Sequence, residues 1–394
     1  VGLFAGVPLE MQVVLTSKLP DVGTTIFTVM SALAQRHDAL NLSQGFPDMS
    51  APHELLDRVA YHMHAGHNQY SPSAGVPELR TAIATKVAGL YGRQVDADDE
   101  VTVTSGATEA LFCAIAVCVH PGDEVLVLEP AYDCYGPAIK LQGGRVVSVP
   151  LEYPDFGVDW QRVADAITPR TRAILVNSPH NPAGAAFSSK DIDALAALCE
   201  QHDLWVIADE VYEHIVFDGC MHHSVLRSNR LYPRSFVIFS FGKIYHMTGW
   251  KIGYCVAPAA LTREFRRIHQ FVTFSTMTPA QLGLADFMCM QPDYHLQLGD
   301  FYQRKRDILC DLLQDSRFHM KPSAGTYFQL LDYRDITTEP DRRLAERWTR
   351  EHALATIPMS VFYADPPRDQ FLLRVCFAKD DATLEKAAAI LNGL

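Results

Sequence analysis

Lys243 follows the apolar run Phe236-Val-Ile-Phe239 by four residues, in the segment Ser240-Phe-Gly-Lys243-Ile-Tyr-His-Met-Thr-Gly-Trp-Lys251. An ammonium at the end of a buried strand is poorly hydrated. Burial and a nearby cation (Lys251 stands eight positions on) both favour the neutral amine, which is nucleophilic and forms Schiff bases with carbonyl compounds. A lysine after a strand is more often a surface residue opening a loop, so the reading depends on what accompanies it.

Four further segments supply that company. Ser105-Gly106-Ala107-Thr108, Asn181, Asp209-Glu-Val-Tyr212 and Ser240 each follow a short apolar run, and Tyr132 lies in Glu129-Pro-Ala-Tyr132. A lysine, an aspartate, an asparagine, a tyrosine and a small-residue helix start are the parts that hold pyridoxal phosphate, whose electronics a protein tunes through such groups. In that reading Lys243 forms the Schiff base and Asp209 keeps the pyridine nitrogen protonated. Asn181 and Tyr212 donate to the phenolic oxygen, and Tyr132 stacks on the ring. The free N–H groups and positive dipole end at Ser105–Thr108 take the phosphate, with Ser240 and Lys251 beside them. Each residue also has a plainer reading. Asp209 suits a helix N-cap, Asn181-Pro a turn, the small residues any strand-to-helix loop, Tyr132 the core and Lys251 a solvated charge. Order and spacing favour the shared one: Asp209 precedes Tyr212 by three residues and Lys243 by thirty-four.

The elements that must position these groups are legible as alternating runs. Residues 101–104, 124–128, 145–149, 172–176, 204–208, 236–239 and 252–256 are rich in Val, Ile and Leu with little polar alternation, as in strands covered on both faces. Helical patterns occupy 109–119, 135–142, 159–166 and 189–202. Strands alternating with helices predict an α/β fold with a parallel sheet, and ligands of such sheets collect at the carboxyl ends of the strands. Helical patterns at 279–290, 294–314 and 382–391, with strands near 327–331 and 371–376, predict a smaller α+β domain. We expect an amino-terminal arm over residues 1–32, a large cofactor-binding domain over 51–291, and a small domain from 33–50 and 292–394.

The chain has 394 residues, 48% of them hydrophobic, and a net charge of −12 without a basic block. That predicts a large core and argues against nucleic acid or an anionic membrane as the main partner. No apolar run approaches the roughly 18 residues of a membrane span. Residues 1–12 carry no charged stretch followed by a long apolar one, so no secretory signal is expected. Nine cysteines, an odd count without C-x-x-C spacing, predict free, mostly buried thiols in the reducing cytoplasm rather than disulfides or a zinc site. Helical phase puts His64 and His67 on one face and His62 off it, which predicts a partly exposed helix end and no metal.

The chain resembles the class I/II aminotransferases, pyridoxal-phosphate enzymes of fold type I, and within them the methionine and kynurenine/glutamine branches. The likeness rests on Asn41-Leu-Ser-Gln-Gly45-Phe-Pro-Asp48, Asn68-Gln-Tyr70, Asp209-Glu-Val-Tyr212, the lysine segment and Phe371-Leu-Leu-Arg374-Val-Cys-Phe377. It implies a large domain with a mostly parallel seven-stranded sheet between helices. It implies that Lys243 also shuttles a proton, with Asp209 and Tyr212 as its catalytic neighbours. It implies that Arg374 clamps the substrate carboxylate in a fork that lysine cannot reproduce, near Gly45 and Asn181. It implies a homodimer with shared sites, where Tyr70 reaches the partner's phosphate. Two departures stand out. The usual Asn-Pro-Thr-Gly is Asn181-Pro-Ala183-Gly184, and the usual phosphate arginine is Lys251.

The resemblance also implies the substrate class. In this branch Phe27 lines the pocket, and the partner's residues 271–277, which include Phe274, complete it; that segment has no Arg or Lys. An apolar, aromatic pocket without a second cation suits methionine first, then Phe, Tyr, Gln or kynurenine, with a 2-oxo acid as acceptor. The rival on the same cofactor is a β-lyase acting on cysteine conjugates or cystathionine. A non-enzymatic regulator would have lost a catalytic residue or gained a basic appendage, and a nicotinamide enzyme would carry G-x-G-x-x-G after the first strand.

Overall fold

The computed structural model describes residues 15–394; the segment read for a signal lies outside them. Seven strands form one sheet: β2 (Val101–Thr104), β3 (Glu124–Glu129), β4 (Arg145–Pro150), β5 (Thr171–Asn177), β6 (Trp205–Asp209), β7 (Ser235–Ser240) and β8 (Gly253–Val256), after a two-residue β1 (Leu40–Asn41) that lies elsewhere. Their order is β2-β8-β7-β6-β5-β3-β4. β8 is antiparallel to both neighbours and every other pairing is parallel. The mostly parallel seven-stranded sheet that the resemblance implies is what forms, and β8 is the one reversed strand that alternation alone does not show. Only a four-residue helix, Phe241–Ile244, and a 3-10 turn separate β7 from β8. A parallel crossover is usually made by a full helix that packs on the sheet; this twelve-residue connection holds none, and the chain turns back. The other six strands share one direction, and their carboxyl ends share one edge.

Period-two alternation divides the strand side chains between two cores. Val125, Val127, Ala173, Leu175, Ile207, Phe236 and Ile238 face the helices Ala107–Cys118, Tyr135–Leu141 and Ala259–Val272. Leu126, Leu128, Ile174, Val176, Val206, Ala208, Val237 and Phe239 enter a larger core on the opposite face. β4 departs from two-sided burial: it is the sheet edge, and most of its residues are exposed or half-buried.

Beyond the sheet, β9 (Phe328–Asp332), β10 (Leu354–Ala355), β11 (Ile357–Pro358) and β12 (Leu372–Cys376) follow. β11-β12-β9 is an antiparallel sheet, and β10 pairs in parallel with β1. That pairing draws residues 40–41 into the carboxy-terminal part. Besides the short Phe241–Ile244, five helices go beyond those expected: Ile26–Arg36, His53–His64, Pro77–Tyr91, Ala259–Val272 and Asp341–Glu351. The last two carry so many charges that apolar density gives them no signal; their apolar residues form one stripe only.

One smaller expectation is corrected. His62 is buried, and its ring nitrogen lies 3.1 Å from that of His67, with the other 2.8 Å from Asp286. His67 falls beyond the helix end, where helical phase no longer applies. All nine cysteines are free and most are buried, as expected, with Cys220 and Cys289 exposed. No helix among the described residues is long and apolar enough to cross a membrane.

Candidate active site

The shared strand edge opens on a cavity of about 510 Å³. β7 feeds directly into the turn that carries Lys243. Its Nζ donates to Tyr327 Oη at 2.9 Å and to the Gly45 carbonyl at 3.3 Å. Burial, with Lys251 and Arg374 adding like charge, pushes the amine down to about 8. A group of this kind is neutral often enough to act as a nucleophile or base near physiological pH.

Asp209 ends β6, in register with Asn177 on β5, and is 4% exposed. Tyr135 Oη donates to its Oδ2 at 2.7 Å and the Val211 N–H to its Oδ1 at 3.3 Å. Burial pushes the carboxyl up to about 6 despite these donors. Asn177 ties the loop ends together: its Nδ2 donates to the Asp209 carbonyl at 2.8 Å, and its Oδ1 accepts from Asn181 N at 2.7 Å. Asn181 and Tyr212 reach the cavity from the next loops, and Tyr132 lines its far wall.

The helix Ala107–Cys118 starts at the cavity. Gly106 has φ +79°, and no side chain caps the helix start, so its first N–H groups stay free. Lys251 lies across it: a Cβ added to Gly106 would come within 3.3 Å of the Lys251 Nζ. Ala107, Thr108 and Ser240 complete this corner.

On the opposite wall Arg374, in β12, is 1% exposed. Its Nη1 donates to Asn181 Oδ1 at 2.6 Å and its Nη2 to the Ser43 carbonyl at 3.0 Å. Its Nε has no partner among the described residues. Phe328 stacks 3.8 Å from the guanidinium carbon, with Phe27 and Phe362 at 5.3 and 5.2 Å. Burial pushes the guanidinium down to about 10. A buried cation with its Nε–H unused and no salt bridge among the described residues calls for an anionic partner.

Most of the residues expected at the site therefore meet: Phe27, Gly45, Gly106, Ala107, Thr108, Tyr132, Asn181, Asp209, Tyr212, Ser240, Lys243, Lys251 and Arg374 line one cavity. Three do not. Ser105 stands behind the wall, its N–H donated to Glu109 Oε2 at 2.9 Å. Tyr70 and Phe274 are 81% and 56% exposed and pack edge to face on each other, outside the cavity. Tyr135, Asn177, Tyr327, Phe328 and Phe362 join the site without having been expected. Asn177 was reachable from sequence, since it ends β5 as Asp209 ends β6; the others signal only aromatic core.

The arrangement suits pyridoxal phosphate on its own geometry. Among the described residues, a buried carboxylate without a salt-bridge cation suits a protonated ring nitrogen, an uncapped helix start crossed by Lys251 suits a phosphate, and the Lys243 amine, its pKa lowered by burial, lines the same cavity.

Comparison with known proteins agrees. Residues 37–391 match the family described as aminotransferase class I and II. The chain is 52% identical over 378 residues to a methionine aminotransferase of Escherichia coli, covering 96% of this chain and 98% of that one. It is 34% identical to human kynurenine–oxoglutarate transaminase 1, covering 90% and 92%. A solved Escherichia coli structure with a methionine aminotransferase function superposes with TM-score 0.94 at 51% identity, covering 97% and 100%. An N-succinyldiaminopimelate aminotransferase of Mycobacterium tuberculosis gives 0.93 at 37%, covering 96% and 100%. The chain belongs to the class I and II aminotransferases. It is an enzyme of fold type I that depends on pyridoxal 5′-phosphate.

Proposed function

We propose that this aminotransferase takes an α-amino acid with a thioether or aromatic side chain, methionine before Phe, Tyr, Gln and kynurenine. It passes the amino group to a 2-oxo acid in a ping-pong exchange. One observation carries the substrate class. The cavity lining holds three cations, Lys243, Lys251 and Arg374, and each has a use: amine, phosphate and α-carboxylate. None among the described lining residues is left for a distal carboxylate. Phe27, Phe328 and Phe362 surround Arg374 instead. The similarity to a methionine aminotransferase supports the same choice.

When bound, the cofactor supplies the electron sink that makes the substrate Cα–H acidic. The chain does the rest. Arg374 orients the substrate through its carboxylate, and its free Nε completes the fork. The Lys243 amine takes the Cα proton as general base. Asp209 holds positive charge at the ring nitrogen, and the start of the helix Ala107–Cys118, with Ser240 and Lys251, anchors the phosphate. Asn181 and Tyr212 would donate to the phenolic oxygen, and Tyr132 would stack on the ring.

The reading extends to assembly and location: a homodimer in which Tyr70 and Phe274 complete the partner's site, working in the cytoplasm, where nine free thiols stay reduced. A panel of amino donors with one 2-oxo acid tests the substrate class. Methionine should give the highest kcat/KM, with aromatic donors following within about 1–3 kcal/mol, the scale on which an apolar pocket discriminates. Aspartate ahead of methionine and phenylalanine would overturn it.

A further inference from the structure

Tyr327 occupies the position just before β9, between Thr326 at φ +66° and Phe328. It is fully buried and ringed by Tyr212, Phe328 and Tyr302 at centroid distances of 5.2, 5.0 and 5.6 Å. Its hydroxyl donates to the Gly45 carbonyl at 2.7 Å. The same hydroxyl lies 2.9 Å from Lys243 Nζ, and the same carbonyl 3.3 Å from it.

A phenol has one proton. With that proton on Gly45, Tyr327 Oη meets Lys243 as an acceptor only. A neutral amine has two N–H bonds and one lone pair, and here each N–H has an acceptor: Tyr327 Oη and the Gly45 carbonyl. What remains free is the lone pair, directed away from both acceptors. We propose that Tyr327 is a positioning residue that seats the free Lys243 amine and turns its lone pair into the cavity, where Cα–H must be attacked. This rests on Lys243 being the reacting amine.

The surroundings suit the task. Gly45 matters here for what it lacks: a Cβ would come within 2.5 Å of Phe328 Cζ and 3.3 Å of Tyr327 Cε2. Only glycine lets its carbonyl sit this close beneath both rings. Phe328, the next residue, stacks on Arg374. Two consecutive residues therefore serve the two reacting ends of the site, the base and the carboxylate clamp.

Tyr327→Phe keeps the ring and deletes the acceptor. The holoenzyme should keep its cofactor content, its Tm and a KM for methionine within about twofold, while kcat falls about 10-fold or more, as for the loss of one positioned hydrogen bond in a proton-transfer step. The primary isotope effect with α-deuterated methionine should rise, because proton removal becomes more fully rate-limiting. The apoprotein gives a readout without turnover: above pH 8, cofactor uptake should be slower in the variant. Wild-type kcat, isotope effect and uptake together would overturn the proposal. Should the variant unfold or lose cofactor, 3-fluorotyrosine at position 327 keeps the shape and the bond to Gly45 while weakening the oxygen as an acceptor. A severalfold lower kcat then supports the proposal, and an unchanged one overturns it. Lys243→Ala run alongside separates the two readings. If it retains turnover, the assignment of the amine fails and the proposal with it; if it is inactive while Tyr327→Phe is fully active, only the proposal fails.

Discussion

Burial shifts Lys243 and Asp209 toward the neutral forms that water would not favour, and both consequences are measurable. The Lys243 amine is pushed down to about 8 and reacts only when neutral. Cofactor uptake by the apoprotein should therefore accelerate as pH rises through about 8 and level off above it; stopped-flow absorbance across pH 6–10 reads this directly, and Lys243→Ala should abolish the absorbing species. Asp209 has the opposite displacement, up to about 6 from 3.8. Because its folded pKa lies above its unfolded one, it lowers apoprotein stability as pH rises from about 4 to 6 and leaves it lower above that. Asp209→Asn should thus raise the apoprotein Tm at pH 7.5 while weakening cofactor binding and slowing proton abstraction by about 10²-fold or more. Melting curves of apo and loaded protein at pH 4 and 7.5 separate the two effects; a variant less stable than wild type at pH 7.5 would contradict the sign.

At the scale of elements, the phosphate corner is built by one helix start and held by another helix. Glu109, in the first turn of the helix Ala107–Cys118, accepts from Ser105 N with one oxygen and meets His269 Nδ1 at 2.7 Å with the other. The second ring nitrogen of His269 faces the Ser73 carbonyl at 2.7 Å. Acceptors on both sides require an imidazolium, and in keeping with this His269 is raised despite burial, by Glu109. Glu109, Cys113 and His269 have the composition of a metal site, but their ligand atoms are engaged with one another and with the backbone. Glu109→Gln removes the anion that orders the Ser105–Gly106 turn. It should weaken cofactor binding about 10-fold, or about 1.4 kcal/mol, with kcat at saturating cofactor within about twofold. Equilibrium titration of the apoprotein checks this. None of it was legible beforehand: Ser105 carries a signal as a small residue before a helix, but Glu109 and His269 are 160 residues apart and meet only because the helix Ala259–Val272 packs on the helix Ala107–Cys118.

For the molecule as a whole, the telling feature is what one chain leaves outside its own cavity. Tyr70, Phe271 and Phe274 are 81%, 86% and 56% exposed, an apolar surface that a monomer seldom shows unless it is used. The proposed homodimer covers it and carries Tyr70 into the partner's site. Complementation tests this. Lys243→Ala chains and Tyr70→Ala chains, each weak alone, should regain activity when refolded together, because the mixed dimer contains one site with both wild-type residues. If Tyr70 acts in its own chain, mixing restores nothing. Sedimentation should give about twice the 43.9 kDa of one chain.

Sequence by itself determined the strands, their alternation with helices, and the strand-end positions that bring Lys243, Asp209, Asn181 and Tyr212 to one cavity. These follow from local physics: apolar periodicity selects the strand, and polar residues at its carboxyl end must face a ligand or solvent. Arg374, Tyr70 and Phe274 entered through family resemblance alone, since a strand arginine or a loop tyrosine has no local mark of function. Tertiary structure decided the rest. It turned β8 antiparallel, the connection from β7 holding no helix long enough to pack across the sheet. It brought His62 to His67, and it placed Tyr327, Tyr135 and Phe328 around the reacting groups. Those partners are aromatic core residues by composition, and only packing across separate elements determines which hydroxyl meets which nitrogen.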